Sequence, residues 1–312
     1  MDQDSRKFLY KVARAYYEDD QTQQQIGERF GLSRVKVSRM LRLARSEKIV
    51  QITINPQGAS GTELEREIER RFGIKEAIVV ACSGHTSGAV ANAIGPVAAN
   101  YLVRTLQGSE TLAISWGNTL LSVVNAFPLA SMPDLRVVQL TGGLGELEAR
   151  THGAELARRA AESLGARLRL LHSPGIVKDQ TVRDALVHDP QISDTLRLAA
   201  RADVALVGIG VLETASTLLG SNQLLPEEIG HLRDNGAVGD IALRFFDKDG
   251  CKVESLIDRR IVGCSLEDIR GISRVIAAAG GKDKITVIKA ALKGKLVDVL
   301  ITDSQTGQRL VD

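Results

Sequence analysis

Between Arg29 and Lys48 the chain carries seven basic residues and one acidic residue, Glu47. Their spacing is helical. At 100° per residue, Val35, Lys36, Arg39, Arg42 and Ser46 fall on or near one face, and Val37, Met40, Leu41 and Ala44 form a stripe on the other. Cationic side chains on such a face bind phosphate oxygens, and arginine also reads base edges in the major groove. The DNA-contacting candidates are Thr22, Ser33, Arg34, Val35, Lys36, Ser38, Arg39 and Arg42. The hydroxyls and cations suit phosphates or base edges, and Val35 suits a thymine methyl. Most basic helices are merely solvated faces. Here the turn glycine Gly31, the two serines and the scarcity of carboxylates favour nucleic acid.

A second constellation lies further on, where one apolar segment after another ends in small or hydroxylated residues. Ser115 and Trp116, with Gly117, Asn118 and Thr119, follow one such segment, and Thr141, Gly142 and Gly143 follow the next. Ser173-Pro-Gly175 and Gly208-Ile-Gly210 follow two more, and Gly281 and Lys284 stand after the penultimate one. Glycine amides approach an anion closely, a helix starting at Asn118 or Thr119 adds its dipole, and Lys284 adds a compact charge. Asp240 is placed to accept from hydroxyls. Glycine-rich strand ends are common in any α/β domain, so the number of these elements makes the case rather than any one of them.

Other chemistry is missing from the sequence. There is no GxxxxGK[ST] phosphate loop, and Glu213 stands where a dinucleotide fingerprint after Gly208-Ile-Gly210 wants Gly or Ala. There is no HExxH and no GxSxG elbow. His152 with Glu155 makes an acid–base pair only in the weak sense of helix neighbours. Cys82, Cys251 and Cys264 are widely spaced and form no zinc pattern. The reading is therefore no catalytic residues, no metal and no cofactor.

These groups need elements to hold them. Thr22 caps a helix from about Gln23 to Phe30, Gly31 supplies a sharp turn, and Ser33 caps a second helix of roughly fourteen residues. Ser5 to Glu18 reads as a helix with Leu9, Val12, Ala13 and Tyr16 on its apolar side. Alternation in residues 49–54 predicts a strand or wing closing that small core. Residues 1–54 are thus expected to form a helix-turn-helix DNA-binding domain, residues 55–62 a linker, and residues 63–312 an effector-binding and oligomerisation domain. In the third segment, apolar strands at 76–81, 111–115, 136–140, 167–172 and 203–210, and two more near the C-terminus, alternate with helices. That order predicts an α/β fold with a mostly parallel sheet covered on both faces.

Charge follows the same division. Forty Lys/Arg against 38 Asp/Glu leave +2 overall. Residues 1–50 hold eleven basic and seven acidic residues, and the remainder 29 and 31. The positive charge sits where a nucleic-acid contact requires it. No apolar run approaches a membrane span, and the N-terminus lacks the apolar core of a secretory signal. The expectation is a cytoplasmic protein with no membrane partner.

The ordered set ARAYYEDDQTQQQIGERFGLSRVKVSRMLRLARSEKIV, ISWGNTL, VVQLTGGLGE, AVGDI and RVIAAAGGKDKITVIKAALKGKLVDVLITD resembles the SorC family of sugar-responsive bacterial transcription regulators, including those of the deoxyribonucleoside type. The likeness runs over nearly the whole chain. It implies an effector domain related to sugar-phosphate isomerases, a sugar, polyol or sugar-phosphate effector, and homodimers or homotetramers on operator double-stranded DNA. It further implies that Gly117-Asn118-Thr119 and Thr141-Gly142-Gly143 hold phosphate while Asp240 and Lys284 face the sugar. Some members carry a long basic residue where this chain has Thr141, which points the ligand chemistry here towards an unphosphorylated polyol. The competing expectation is a sugar-phosphate isomerase or deaminase with an appended helical module.

Overall fold

A computed structural model gives the fold and describes residues 3–50, 61–143, 153–212 and 224–312. The chain divides into two compact units, Met1–Gln57 and Gly58–Asp312.

The first unit contains α1 (Gln3–Tyr17), α2 (Gln23–Phe30) and α3 (Arg34–Ser46). Thr22 and Gln25 form a reciprocal capping box at the start of α2, and Gly31, at φ 68°, ends it. Ser33 accepts from the Lys36 amide and starts α3. Val12, Ala15, Ile26, Val37 and Leu41 pack as one small core, and Phe8 meets Phe30 edge-on at 5.6 Å. Ala15 joins that core outside the stripe read from the sequence, while Tyr16 is only half-buried. Of the expected wing, Ile49 and Val50 lie in a bend packed near Ala44, and residues 51–54 lie outside the described residues. So do residues 55–60 of the expected linker. Thr62 is not linker but the first residue of a helix.

The second unit runs, in chain order, through α4 (Thr62–Phe72), β1 (Glu76–Val80), α5 (Ser87–Thr105), β2 (Thr111–Ile114), α6 (Asn118–Asn125), β3 (Arg136–Gln139), α7 (Gly153–Leu164), β4 (Arg167–Arg169), α8 (Gln180–His188), α9 (Pro190–Ala200) and β5 (Val204–Val207). It continues through β6 (Gly210–Val211), α10 (Pro226–Asp234), β7 (Ala237–Ile241), β8 (Arg244–Asp247), α11 (Leu266–Gly271), β9 (Arg274–Ala278), α12 (Ile285–Lys293), β10 (Val299–Asp303) and α13 (Ser304–Val311). Seven strands form a parallel sheet in the order β1-β10-β9-β5-β2-β3-β4. The other three form an antiparallel sheet, β6-β7-β8.

Both faces of the large sheet are buried, which is why its strands read as apolar runs. Ala113, Val138, Ala205, Val207, Ala277 and Leu300 pack on one side with α11 and α12. Leu112, Ile114, Val137, Leu206, Ile276 and Ile301 pack on the other with α5, α6 and α7. At one edge, Glu69 and Glu65 of α4 accept from the outward amides of Ala77 and Val79 at 3.0 and 2.9 Å, so β1 presents no free donors there. The strand expected over 167–172 is shorter. It ends at Arg169, and the Gln139 side chain takes the Leu171 amide at 2.9 Å.

Gly27 shows how closely α2 and its turn approach. A Cβ there would lie 2.6 Å from the Leu32 carbonyl oxygen. Replacing helical Gly by Ala ordinarily gains about 1 kcal/mol, while forcing a methyl into a packed site costs about 1–3 kcal/mol. Here the contact is with backbone, so the cost should win: Gly27→Ala is expected to melt the helical N-terminal unit at lower temperature, by circular dichroism, and a gain in stability would refute the close approach.

Candidate functional sites

Six of the seven basic residues of the helix-turn-helix divide by environment. Arg45 donates to the Tyr17 hydroxyl at 2.8 Å and lies over its ring. Arg29 lies over Phe30, 3.9 Å from Asp19. These two serve the small domain itself. Arg34, Lys36, Arg39 and Arg42 are exposed and, among the described residues, have no carboxylate within ion-pair distance. Val35 stands among them, 62% exposed. Ser38 is half-buried on the same helix. The hydroxyl oxygens of Thr22 and Ser33 accept from helix amides, and the Thr22 hydroxyl also donates to Gln25, so Ser33 alone of the two keeps its proton free.

Helix α3 has no acidic residue in its first turn, where Arg34 and Lys36 sit instead. Cations at a helix N-terminus oppose its dipole by a few tenths of a kcal/mol or more. A phosphate placed there would relieve both charges and occupy the free amides.

In the second unit the C-terminal ends of β2, β5 and β9, neighbours in the sheet, enclose a cavity of about 230 Å³. Gly117, Asn118, Thr119, Asp240 and Lys284 all line it. Gly117 is the N-cap of α6 at φ 125°, a backbone that side chains rarely adopt, and no side chain caps the helix. The first-turn amides of α6 are therefore left for a ligand. Lys284 is half-buried, has no carboxylate within ion-pair distance among the described residues, and its pKa is drawn down by burial, with Asp240 pulling the other way.

Asp240 is 5% exposed. Burial pushes its carboxyl up to about 6, against the Leu243 amide and the Lys284 charge. The amide donates to Asp240 Oδ2 at 3.0 Å. Asp240 pairs with Gly210 across β6 and β7, and a Cβ at Gly210 would fall 2.1 Å from Oδ1. The turn between β7 and β8 consists of Ala242 and Leu243 at φ 51° and 67°. A two-residue hairpin loop with both φ positive ordinarily uses Asn-Gly. Here burial of both side chains and the Asp240 hydrogen bond hold the strained form.

The loop carrying Lys284 is held from behind. Asp303 accepts from the Gly281 amide at 2.9 Å and from the Thr306 hydroxyl at 2.6 Å. The Gly281 amide is thereby occupied, and Gly280 rather than Gly281 lines the cavity.

Thr141, Gly142 and Gly143 are elsewhere. They follow β3, one strand beyond β2, and do not line this cavity. The Gly142 amide donates to Val262 and the Gly143 amide to Ser173, at 3.0 and 2.9 Å, so neither is free for an anion. Thr141 is buried against Gly263. Ser115 and Trp116, read from the sequence at the same strand end, also line the cavity, as do Ser87 and Ala242, which sequence reasoning missed. Trp116 Nε1 is a buried donor without a partner among the described residues. Ser87 and Ala242 carry no local signal.

Of the weak pair His152 and Glu155, only Glu155 lies among the described residues. Arg158 and Arg159 hold its carboxyl down to about 2.

A family model named Sugar-bind, for a sugar-binding domain, matches residues 58–312. The Deoxyribonucleoside regulator of Bacillus subtilis strain 168 is 31% identical over 100% of this chain and 99% of that protein. The Sorbitol operon regulator of Klebsiella pneumoniae is 30% identical over 99% of this chain and 98% of its own length. The crystal structure of full-length SorC from Klebsiella pneumoniae superposes with a TM-score of 0.77 at 29% identity, covering 99% of this chain and 100% of that one. This chain belongs to the SorC family of sugar-binding transcriptional regulators. A DeoR family regulator from Listeria monocytogenes, 30% identical with a TM-score of 0.76, covers 80% of this SorC-family chain and 99% of its own. Among the described residues no helix is long and apolar enough to cross a membrane.

Asp240 allows a pH test. The native carboxyl holds its proton more tightly than the unfolded chain, whose value is near 3.8, so native protein binds more protons between that pH and about 6. Stability therefore falls as pH rises through this window. Asp240→Asn should remove that fall in urea midpoints measured from pH 4 to pH 7, while weakening any ligand that donates to the carboxylate. An unchanged pH profile in the variant would count against the buried, charge-averse environment.

Proposed function

We propose that this SorC-family chain regulates a carbohydrate-catabolism operon in the cytoplasm, as a homodimer or homotetramer on operator duplex, and that a sugar, polyol or sugar phosphate gates it. The carrying observation is one chain with two sets of charges left unpaired: the four cations of α3, and Lys284 facing the uncapped start of α6. In this reading Arg34, Lys36, Arg39 and Arg42 meet phosphates or base edges, with Thr22, Ser33 and Ser38 beside them and Val35 against a thymine methyl.

The effector lies across Gly117, Asn118 and Thr119, its anionic end on the α6 amides and Lys284. Its hydroxyls donate to Asp240. The uncapped helix and the lone ammonium favour a phosphorylated effector. Thr141 lies off the cavity, so its neutral side chain does not weigh against one. Thr141, Gly142 and Gly143 act on the ligand only if their amides exchange partners. Gly281 acts through its bond to Asp303, by positioning Lys284.

Ligand binding changes operator affinity only if the DNA-competent and incompetent arrangements bind the ligand unequally. The chain is read as a regulator without catalytic activity. The relatives carry regulator names, and Glu155, a candidate base, is tied to two arginines.

Two measurements test this. Operator affinity should fall steeply with salt, and Arg39→Ala should weaken it about tenfold or more, the usual worth of one base or phosphate contact; wild-type affinity in the variant would remove α3 from the interface. Phosphosugars should raise the melting temperature, because a ligand stabilises the state it binds, and Lys284→Met should abolish that rise without lowering the melting point of the free protein. A phosphosugar shift that survives in the variant would move the anion site away from Lys284.

A further inference from the structure

The two edges of the parallel sheet are treated differently. The amides of β1 are satisfied by Glu65 and Glu69, as described above. At the opposite edge β4 has no cover among the described residues: all three of its residues are exposed, and Leu168 is 37% exposed. Arg167 donates to the Leu135 carbonyl at 2.9 Å, and the alternation of a parallel ladder therefore turns the amide and carbonyl of Leu168 away from β3. An open edge is a template for another strand, and proteins ordinarily blunt it.

Helix α8 lies beside this edge and, alone among the helices of eight or more residues described in this unit, has no buried residue. Its Val182 is 42% exposed. Between β4 and the α8–α9 pair runs a groove of about 980 Å³ whose apolar wall includes Leu168, Leu170, Val182 and Leu186.

The charges of the groove indicate its occupant. Arg169 gives Nε to the Thr195 hydroxyl at 3.3 Å, and its two terminal nitrogens have no partner among the described residues. Asp189 caps α9 with Oδ1, which accepts from the amides of Gln191 and Ile192, and Oδ2 has no partner among the described residues. One free cation and one free carboxylate oxygen thus share one groove. A partner of single charge would neutralise one and repel the other. A two-fold contact that sets Arg169 of one copy against Asp189 of the other satisfies both, since in an isologous interface each contact occurs twice. Antiparallel pairing of β4 with itself sets Arg167 opposite Arg169, but Arg167 is already neutralised by Asp134 at 2.9 Å.

We propose that the β4 edge and the uncovered face of α8 dock against the same face of a second copy of this chain. This gives a surface to the oligomer in the reading above. The test uses the full chain at about 1–100 µM, without DNA or effector, in sedimentation equilibrium, so its failure leaves the gating reading intact. Wild type should sediment above the monomer mass. Leu168→Glu and Val182→Glu should each raise the dissociation constant at least tenfold and halve the mass at the lower concentrations, and Arg169→Asp should weaken association in the same direction. Both apolar positions are exposed, so circular dichroism melts should match wild type; if Leu168→Glu misfolds, Val182→Glu decides alone. Masses equal to wild type in the folded variants, or a wild type that is monomeric throughout, would overturn the proposal, including in favour of an extended peptide as the occupant.

Discussion

A carboxylate and an ammonium face the same cavity without touching. Asp240 is buried, and no cation stands within ion-pair distance of it among the described residues. Ionised burial of this kind is costly unless something returns the lost hydration. The surroundings return only part of it, through the Leu243 amide and the distant Lys284 charge. Much of the local architecture follows from keeping these groups where they are. Gly210 leaves room for the carboxylate on the backbone of β6, and the hairpin accepts two residues at positive φ. Asp303 ties the loop that presents Lys284. Strain of this sort collects where a site is kept ready for a ligand.

The N-terminal unit follows the same rule. Arg29 and Arg45, though exposed, rest on aromatic rings. Arg34, Lys36, Arg39 and Arg42 of α3 have no ion-pair partner among the described residues, and two of them stand against the dipole of their own helix. Elsewhere in the chain acidic and basic groups pair readily, as in Arg244 with Asp258 at 2.7 Å and Lys75 with Asp298 at 3.0 Å. Charges left without partners inside one chain are suited to partners outside it, a phosphate backbone for one unit and a small polar ligand for the other.

The helix-turn-helix was legible because its signals are local. Thr22, Gly31 and Ser33 act within three residues of their own positions, and the stripe Val37, Leu41, Ala44 repeats within one helix. The central strands were legible because both faces of a parallel sheet are covered, which leaves continuous apolar runs such as Val204–Val207. The short strand β4 was overextended in the reading, since Leu170 and Leu171 continue the apolar run after the ladder has ended. The antiparallel sheet escaped altogether: an Ala-Leu turn carries no turn chemistry, and packing of Ala242 and Leu243 into two different cores, with the Leu243 amide on Asp240, holds it.

Residue order alone therefore determined the element types, the basic reading face and the sites where strands end in glycine, all of which arise from contacts a few residues apart. Which strand ends share a cavity was a matter of strand order. The order β9-β5-β2 brings Lys284, Gly208 and Asn118 together, and places Thr141-Gly142-Gly143 one strand too far, with its amides spent on Val262 and Ser173. The partnering of charges was likewise decided in three dimensions, because a carboxylate distant in sequence can neutralise a cation or leave it bare. Those pairings depend on distances set by the packed sheet, and no local pattern encodes them.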